Sequence, residues 1–519
     1  MTSRASAVAA WAGVVQAALL GSTRTSASLD AAPPDVAALL HALDARDTST
    51  ERRLLARAAV LSAYVRAGRL PARRATPPDD PAPVDDAPVV PPAAARLLAT
   101  LLVGEHRDVL PEWLARAAAG GWRAPSPLLP ALLDLARAAP ALQPDVVRVL
   151  GARGRWLAAR HPDWSWAAGT SSDTARATWE TGAPPARVMA LATLRADDAA
   201  AARELLAATW RTESAAGRAK LLAALETSLG PDDEPFLEAA LDDRSREVRA
   251  VAAGLLASLP GSALVARMTE RARAALRYEA GGLLRRARLV VTLPGAPDEA
   301  AVRDGVQPAP PPGIGERAWW LSQIVAAVPP AAWTAAWGLG AERVVTLLRD
   351  DEWTQPLADG WARAALRHRD AEWADALLRA NVLVDRHARL APPRAALLGL
   401  LPPARREALL VDALVGRVGV SPVELLHGAP PPWGDALARH ALTWYRRRAT
   451  GATGLGVTWA TDAPVAESLP MLATRIPPAL ADEASNGWPA EPAPPWPRAI
   501  ERFQSLLALR RALHAAFTP

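Results

Sequence analysis

The chain has 519 residues, half of them hydrophobic, with no cysteine and with 59 basic against 54 acidic side chains for a net charge of +5. The lack of cysteine excludes disulfides, thiolate metal sites, iron–sulfur clusters and cysteine nucleophiles, and it fits a cytoplasmic protein. No apolar run approaches the roughly 18 residues that a spanning helix needs, so a soluble protein without membrane insertion is expected. A length of this order implies two to four domains or one long repetitive array. The high isoelectric point resembles that of a nucleic-acid binder, but Lys220 is the only lysine, and Ala, Pro and Arg are abundant together. Codon bias in a GC-rich genome accounts for that pattern. The 20 Trp against three Tyr and three Phe read as large fillers between helices.

The first element, "WAGVVQAALLGSTR" at 11–24, is a poor secretory signal. Gly13 and Gln16 interrupt its apolar run, and Arg24 precedes the only small-residue tripeptide, Thr25-Ser26-Ala27. At helical spacing Val8, Trp11, Val15, Ala18 and Leu19 fall on one side and Gly21 stands as a C-cap, which predicts the first helix of the fold. The N-terminal helices are expected over 1–70, followed by a proline-rich linker or long loop over 71–93, around "PARRATPPDDPAPVDDAPVVPP".

A helical repeat region is expected over 94–306. Its clearest part begins with "DAAAARELLAATW", a helix ending near Trp210, and "AAGRAKLLAALETSL", a helix ending at Leu229. "PFLEAAL", with Pro235 in the first turn, and "REVRAVAAGLLASL" make a second pair ending at Leu259. Leu229 and Leu259 stand 30 residues apart, the spacing of a solenoid unit. Val248, Ala252, Leu255 and Leu259 form one apolar stripe that a single pair cannot bury, so stacking follows. "RLVVTL" at 288–293 and "LGVTWA" at 455–460 read as short extended connections. The break "QPAPPPG" at 307–313 opens a second, Trp-rich helical region over 307–519. It holds Trp319, Trp320 and Ile324 in one helix and the acidic-then-Trp helix starts Asp351-Glu352-Trp353 and Asp370-Ala371-Glu372-Trp373. Weaker breaks follow at 429–434 and 488–497. The expected fold class is all-α, a HEAT-like α-solenoid of stacked antiparallel helix pairs with proline-rich breaks.

No phosphate-binding G-x-x-x-x-G-K-[ST], H-E-x-x-H or G-x-S-x-G occurs, and "GATGLG" at 451–456 has the wrong glycine spacing. His41, His106, His161, His368, His387, His427, His440 and His514 never stand at i, i+3 or i, i+4, so no metal and no cofactor is expected. The acidic pairs Asp79-Asp80, Asp85-Asp86, Asp232-Asp233-Glu234, Asp242-Asp243 and Asp350-Asp351 read as solvated caps or linker charges. "GARGRWLAARHPDW" is the most idiosyncratic string. Gly151 and Gly154 each cost about 0.8–1 kcal/mol against Ala in a helix, which points to close packing or to a site near Arg153, Arg155, Trp156, Asp163 and Trp164.

"FLEAALDDRSREVRAVAAGLLASL" resembles a HEAT repeat, and the resemblance implies that Asp243 and Arg249 bond to neighbouring repeats. "WAGVVQAALLGSTR", "RLLARAAVLSAYVRAG", "PEWLARAA", "LGARGRWLAARHPDW", the stretch 204–249 and "GIGERAWWLSQ" together resemble an uncharacterised bacterial family. Its members are encoded beside a MoxR-type AAA ATPase, a von Willebrand factor A protein and a SWIM zinc-finger protein. That resemblance implies a non-enzymatic scaffold or adaptor for such an ATPase in protein remodelling or cofactor insertion, with protein partners. Candidate structural or interaction residues are Asp243, Arg249, Arg153, Arg155, Trp156, Trp164, Trp319 and Trp320. The alternative reading is a nucleic-acid-binding or DNA-repair solenoid whose concave groove is lined by Arg244, Arg246, Arg249 and "RYEAGGLLRRAR" at 277–288. A hydrolase assembled around Arg155, Trp156, Asp163 and Trp164 is a third.

Overall fold

The computed structural model describes residues 3–22, 24, 28, 32–46, 49–67, 81–104, 106–169, 172–282, 285–292, 295–348, 352–383, 394–451, 459–492 and 494–517. The first half of the proline-rich segment with Asp79-Asp80, the pair Asp350-Asp351, His387, and most of "GATGLG" and "LGVTWA" lie outside these residues. The chain divides into two compact units, Met1–Pro81 and Ala82–Pro519, and it is mostly helical, as the periodicity predicts.

The first unit holds α1 (Ser3–Leu20), α2 (Pro34–Asp44) and α3 (Thr50–Ala67). α1 and α2 both pack on α3, around a core of Ala10, Val14, Ala17, Val36, Leu40 and Leu61. Arg57 clasps Asp44 through Nε at 3.1–3.2 Å. Gly21 ends α1 at φ +99°, its N–H donating to the Ala17 carbonyl. The side of α1 that turns inward is the one with small residues. Val8, Val15 and Leu19 are 48%, 38% and 81% exposed, whereas Ala10 and Val14 are 1% and 3% exposed. Alanines let α1 approach α3 closely, and the longer side chains remain outside.

The second unit runs α4 (Pro92–Val103), α5 (Leu110–Ala119), α6 (Leu129–Ala138), α7 (Gln143–Val149), α8 (Gly151–Ala158), α9 (Ser172–Thr181), α10 (Pro184–Asp197), α11 (Ala199–Thr209), α12 (Ala215–Ala223), α13 (Glu234–Ala240), α14 (Arg246–Ala257) and α15 (Ala263–Ala275). The antiparallel hairpin β1 (Leu276–Glu279) and β2 (Arg288–Val291) comes next. Then follow α16 (Glu299–Arg303), α17 (Glu316–Ala326), α18 (Pro330–Trp337), α19 (Ala341–Val345), α20 (Thr354–Arg367), α21 (Ala371–Arg379), α22 (Arg394–Leu400), α23 (Pro403–Leu414), α24 (Pro422–Gly428), α25 (Asp435–Ala449), α26 (Trp459–Leu472), α27 (Ala481–Ser485) and α28 (Trp496–Ala516). Residues 288–291 are therefore paired with 276–279, not a bare connection. "LRYE" carries too little period-2 signal to announce itself as a partner.

Each helix packs mainly on near neighbours in sequence: α9 on α10, α12 and α13 on α14, α14 on α15, α15 on α17, α17 on α20, α20 on α21, α22 on α24 and α24 on α26. α28 packs on α26 and also returns to α4, so the first and last helices of the unit meet. The buried residues form one cluster from Val90 to Phe517 that runs across the 307–313 break. There Trp320 Nε1 donates to the Pro308 carbonyl at 2.8 Å and the Gln307 N–H donates to Gln323 Oε1 at 2.9 Å.

Most tryptophans are core fillers. Trp333, Trp361 and Trp373 are all under 3% exposed, with ring centroids 6.4 Å apart for the first two and 5.0 Å for the last two. Side chains cap five of the helix starts: Asp198, Ser214, Ser245, Ser262 and Asp298 each accept from a backbone N–H three residues on. Asp370 accepts from Glu372 and Trp373.

Candidate interaction surface

The repeat-like stretch between α10 and α16 is stitched by arginines. Arg195, on α10, is buried and bonds the carbonyls of Ala199, Leu225, Thr227 and Ser228 together with both oxygens of Asp233. This capture explains why α12 stops at Ala223, where periodicity predicts Leu229. The carbonyls beyond it turn toward a guanidinium, through the 3-10 turn Ala224–Glu226, and Ser228 takes φ +53°. Asp233 is 1% exposed, so the reading of Asp232-Asp233-Glu234 as solvated caps is corrected for Asp233, while Asp232 is exposed. Burial pushes its carboxyl up, but bonds from Arg195, Gly230 N–H and Arg203 outweigh that and hold it below the usual aspartate range.

The next joint carries α13 and α14. Asp243 accepts from Arg218 Nε and Nη2 at 2.8 and 3.0 Å and from Ser245 N–H at 2.8 Å. It therefore reaches back to α12, as the resemblance implies, and these bonds hold its carboxyl low against burial. Arg249 does not reach a neighbouring pair. Its Nη1 donates to the carbonyls of Asp243 and Arg244, inside its own turn. Asp242 is also no free cap, since Arg303 grips both its oxygens at 2.7 and 2.9 Å. Asp304, 3% exposed, receives Arg267 and Arg271 from α15, and Arg267 also bonds Glu238 of α13. One side of α15 is thus locked to α13 and α16.

Along α15 also runs an open groove of about 510 Å³. Its lining comes from the α14–α15 turn (Pro260, Gly261, Ser262), from Val265, Ala266, Thr269, Glu270 and Arg273, and from Pro329 and Ala332 at the start of α18. From Ser262 to Arg273 the floor extends roughly 16 Å at 1.5 Å per residue. Sequence reasoning missed this groove because two of its walls are separated by some 60 residues. Its only sequence signal is the Pro260-Gly261-Ser262 turn.

The other candidates have structural places. Trp319 and Trp320 are buried at 7% and 8% exposure, and Trp320 and Ile324 line a smaller apolar pocket of about 180 Å³. Arg153 and Arg155 are exposed on α8, and Arg160 lies 4.1 Å over the Trp156 ring. Trp164 is buried, donating to Asp134 at 2.9 Å and stacking on His161. Arg155 and Asp163 are exposed. Asp85 caps α8, accepting from Ala152 and Arg153 N–H at 2.7 and 3.2 Å. Against burial, those donors with Arg123 and Arg155 hold its carboxyl low.

The two glycines of this string answer to packing. A Cβ on Gly151, at φ +65°, would lie 2.5 Å from Asp85 Oδ2, and one on Gly154 would lie 2.6 Å from Leu150 Cβ. Gly154→Ala is expected to lower stability by about 1–3 kcal/mol with partner binding unchanged. Thermal melts beside a binding assay check this, and an unchanged Tm would refute the packing account.

Three of the seven arginines proposed for a nucleic-acid groove have partners within the chain. Arg246 donates to Gln307, Arg249 to its own turn and Arg288 to Glu279. Among the described residues no group of three or more His, Asp or Glu is placed to hold a metal ion. No described helix is long and apolar enough to cross a membrane.

Fold and surface together define a mostly helical protein with an open groove on a braced helix. The chain belongs to a family of unknown function, DUF5691, whose model matches residues 13–517. No curated protein and no solved structure matches it.

Proposed function

We propose that this protein is a non-enzymatic interaction scaffold: a HEAT-like stack of antiparallel helix pairs that holds a protein segment in the α15–α18 groove. It acts in the cytoplasm as adaptor or substrate-recruiting subunit for a MoxR-type AAA ATPase working with a von Willebrand factor A protein. The observation that carries the reading is the groove itself. One side of α15 is immobilised by the Asp304, Glu238 and Arg267 bonds, so a partner meets a preorganised surface and loses less entropy on docking. Proline, alanine and valine supply apolar contact, and Thr269, Glu270 and Arg273 supply hydrogen bonds, a combination suited to a peptide segment. The resemblance to a family encoded beside such ATPases supports the choice of partner.

The test is affinity purification of the tagged protein from its native host with and without ATP, alongside Ala266→Arg, which fills the groove from an exposed position. Wild type is expected to recover the ATPase or the von Willebrand A protein, and the variant to lose it by about tenfold or more. Equal recovery with the variant would move the site elsewhere. Recovery of nucleic acid or a metabolic enzyme in place of both proteins would overturn the adaptor reading.

A further inference from the structure

We infer that the outer edge of β2 takes an extended segment of a partner protein as a third strand, one whose side chains alternate between apolar and acidic. A two-stranded ribbon is marginal without a further strand or a packed face. In the β1–β2 hairpin one face is packed. Side chains alternate across a strand, so the register sets Leu276, Tyr278, Leu289 and Val291 on one side. Leu276 is 1% exposed, Leu289 and Val291 lie against the main core, and the Tyr278 ring is 6.3 Å from that of Trp337. Arg277, Glu279, Arg288 and Val290 make the other face.

The bonding pattern defines the open edge. Thr292 N–H donates to the Ala275 carbonyl, and bonded and non-bonded pairs alternate along an antiparallel ladder. Arg277 with Val290 and Glu279 with Arg288 therefore exchange the ladder bonds, while Leu289 and Val291 aim their N–H and C=O groups away from β1. None of these groups has a hydrogen-bond partner among the described residues. The two residues stand about 6.6 Å apart along the strand, the repeat that an added strand matches. The outer edge of β1 offers less, because the Leu276 N–H already bonds the Ala272 carbonyl and α15 runs directly into that strand.

Charge selects the occupant. Arg277, Arg285 and Arg286 are exposed and have no ion-pair partner among the described residues, whereas Arg288 holds Glu279 at 2.8 Å. A third strand on β2 continues both faces of the hairpin. Its residues opposite Leu289 and Val291 extend the apolar side, and carboxylates opposite Arg288 and beside Arg286 gain cross-strand attraction. The β2 of a second copy would bring its own arginines to the same edge, and charged flanks of this kind keep sheet edges from pairing with each other. A nucleic acid would satisfy the arginines but has no row of N–H and C=O groups to match the edge. The inference stands apart from the α15–α18 groove and the adaptor reading.

The experiment uses the full-length chain and, as probe, a labelled and capped peptide of about ten residues that alternates valine and glutamate. Fluorescence anisotropy is expected to show saturable binding below about 100 μM, and amide hydrogen exchange to slow over 288–292 when the peptide is present. Val291→Pro removes an outward N–H and leaves the ladder intact, since proline is tolerated where a strand's N–H faces out; it should weaken binding by about tenfold. Arg286→Glu should weaken it by roughly threefold or more. Thermal melts show whether each variant is folded, and if Val291→Pro is not, the exchange result and Arg286→Glu decide the matter. Absence of binding, equal binding of a valine–lysine peptide, or full binding by folded Val291→Pro would overturn the inference. So would binding of a single-stranded DNA but not the peptide, which assigns the arginines to nucleic acid. Protection of 288–292 that rises with protein concentration in the free chain would put a second copy on the edge and overturn it as well.

Discussion

Replacing Arg195 by methionine is expected to destabilise the larger unit by about 3–5 kcal/mol. The side chain is buried completely, and its guanidinium bonds four carbonyls and both oxygens of Asp233 at 2.8–3.1 Å. The methionine would leave a buried carboxylate held only by Arg203 and the Gly230 N–H, with Leu225 and Ser228 carbonyls stripped of their donor. Removing one partner of a buried pair is worse than removing both. Arg195→Met combined with Asp233→Leu should therefore recover a large part of the loss. Urea unfolding at pH 7 measures both, and a single-variant loss below about 1 kcal/mol would show that the pair does not organise this joint.

The pH dependence has a definite sign. The Asp233 pKa is lowered in the folded state. Its contribution is thus fully present above the unfolded aspartate value of about 3.9 and is lost as pH falls through the lower folded value. The gap between wild type and Arg195→Met should accordingly narrow only in acid, below about pH 4.

Glu112→Ala is expected to free the C-terminal helix, at about 2–4 kcal/mol. Glu112, on α5, accepts from Arg510 Nε and Nη2 and from His514 Nε2 at 2.5–2.8 Å. Arg510 also holds the carbonyls of Ala473 and Ile476 past the end of α26. Next to it, Phe517 lies 5.6 Å from Trp113 and 5.3 Å from Trp122 between ring centroids. Polar and aromatic contacts from one helix end therefore close the unit. Amide hydrogen exchange should rise over 496–517 and stay unchanged over α10–α15, and unchanged protection of α28 would show that the aromatic contacts alone hold it. Burial pushes the Glu112 carboxyl up, but Arg510 and His514 outweigh it and hold the group low. Its stabilising share is present above the unfolded value of about 4.3 and fades as pH drops through the lower folded one.

Helix boundaries were legible where the signals are local. Gly21, Pro235 and Asp370 mark ends through their own backbone chemistry, and the stripe Val248, Ala252, Leu255 and Leu259 is buried as its spacing requires. Of the two residues singled out in the HEAT-like string, Asp243 bonds Arg218 of α12 and Arg249 bonds its own turn. Both sit beside the same turn, and sequence does not reveal which acceptor lies nearer. The α15 groove was not legible, because its second wall comes from the start of α18.

By itself the sequence determined a helical chain with a proline-rich segment between its first helices and the rest. Helix propensity, caps and the 3.6-residue period act within a few residues and need no tertiary context. Only the tertiary structure decided which of two apolar faces α1 turns inward, since periodicity does not rank them and close approach favours alanine. It also decided the partners of the charges. Glu112 and Arg510 are 398 residues apart, and a Coulomb pair depends on distance in space, of which separation along the chain says nothing.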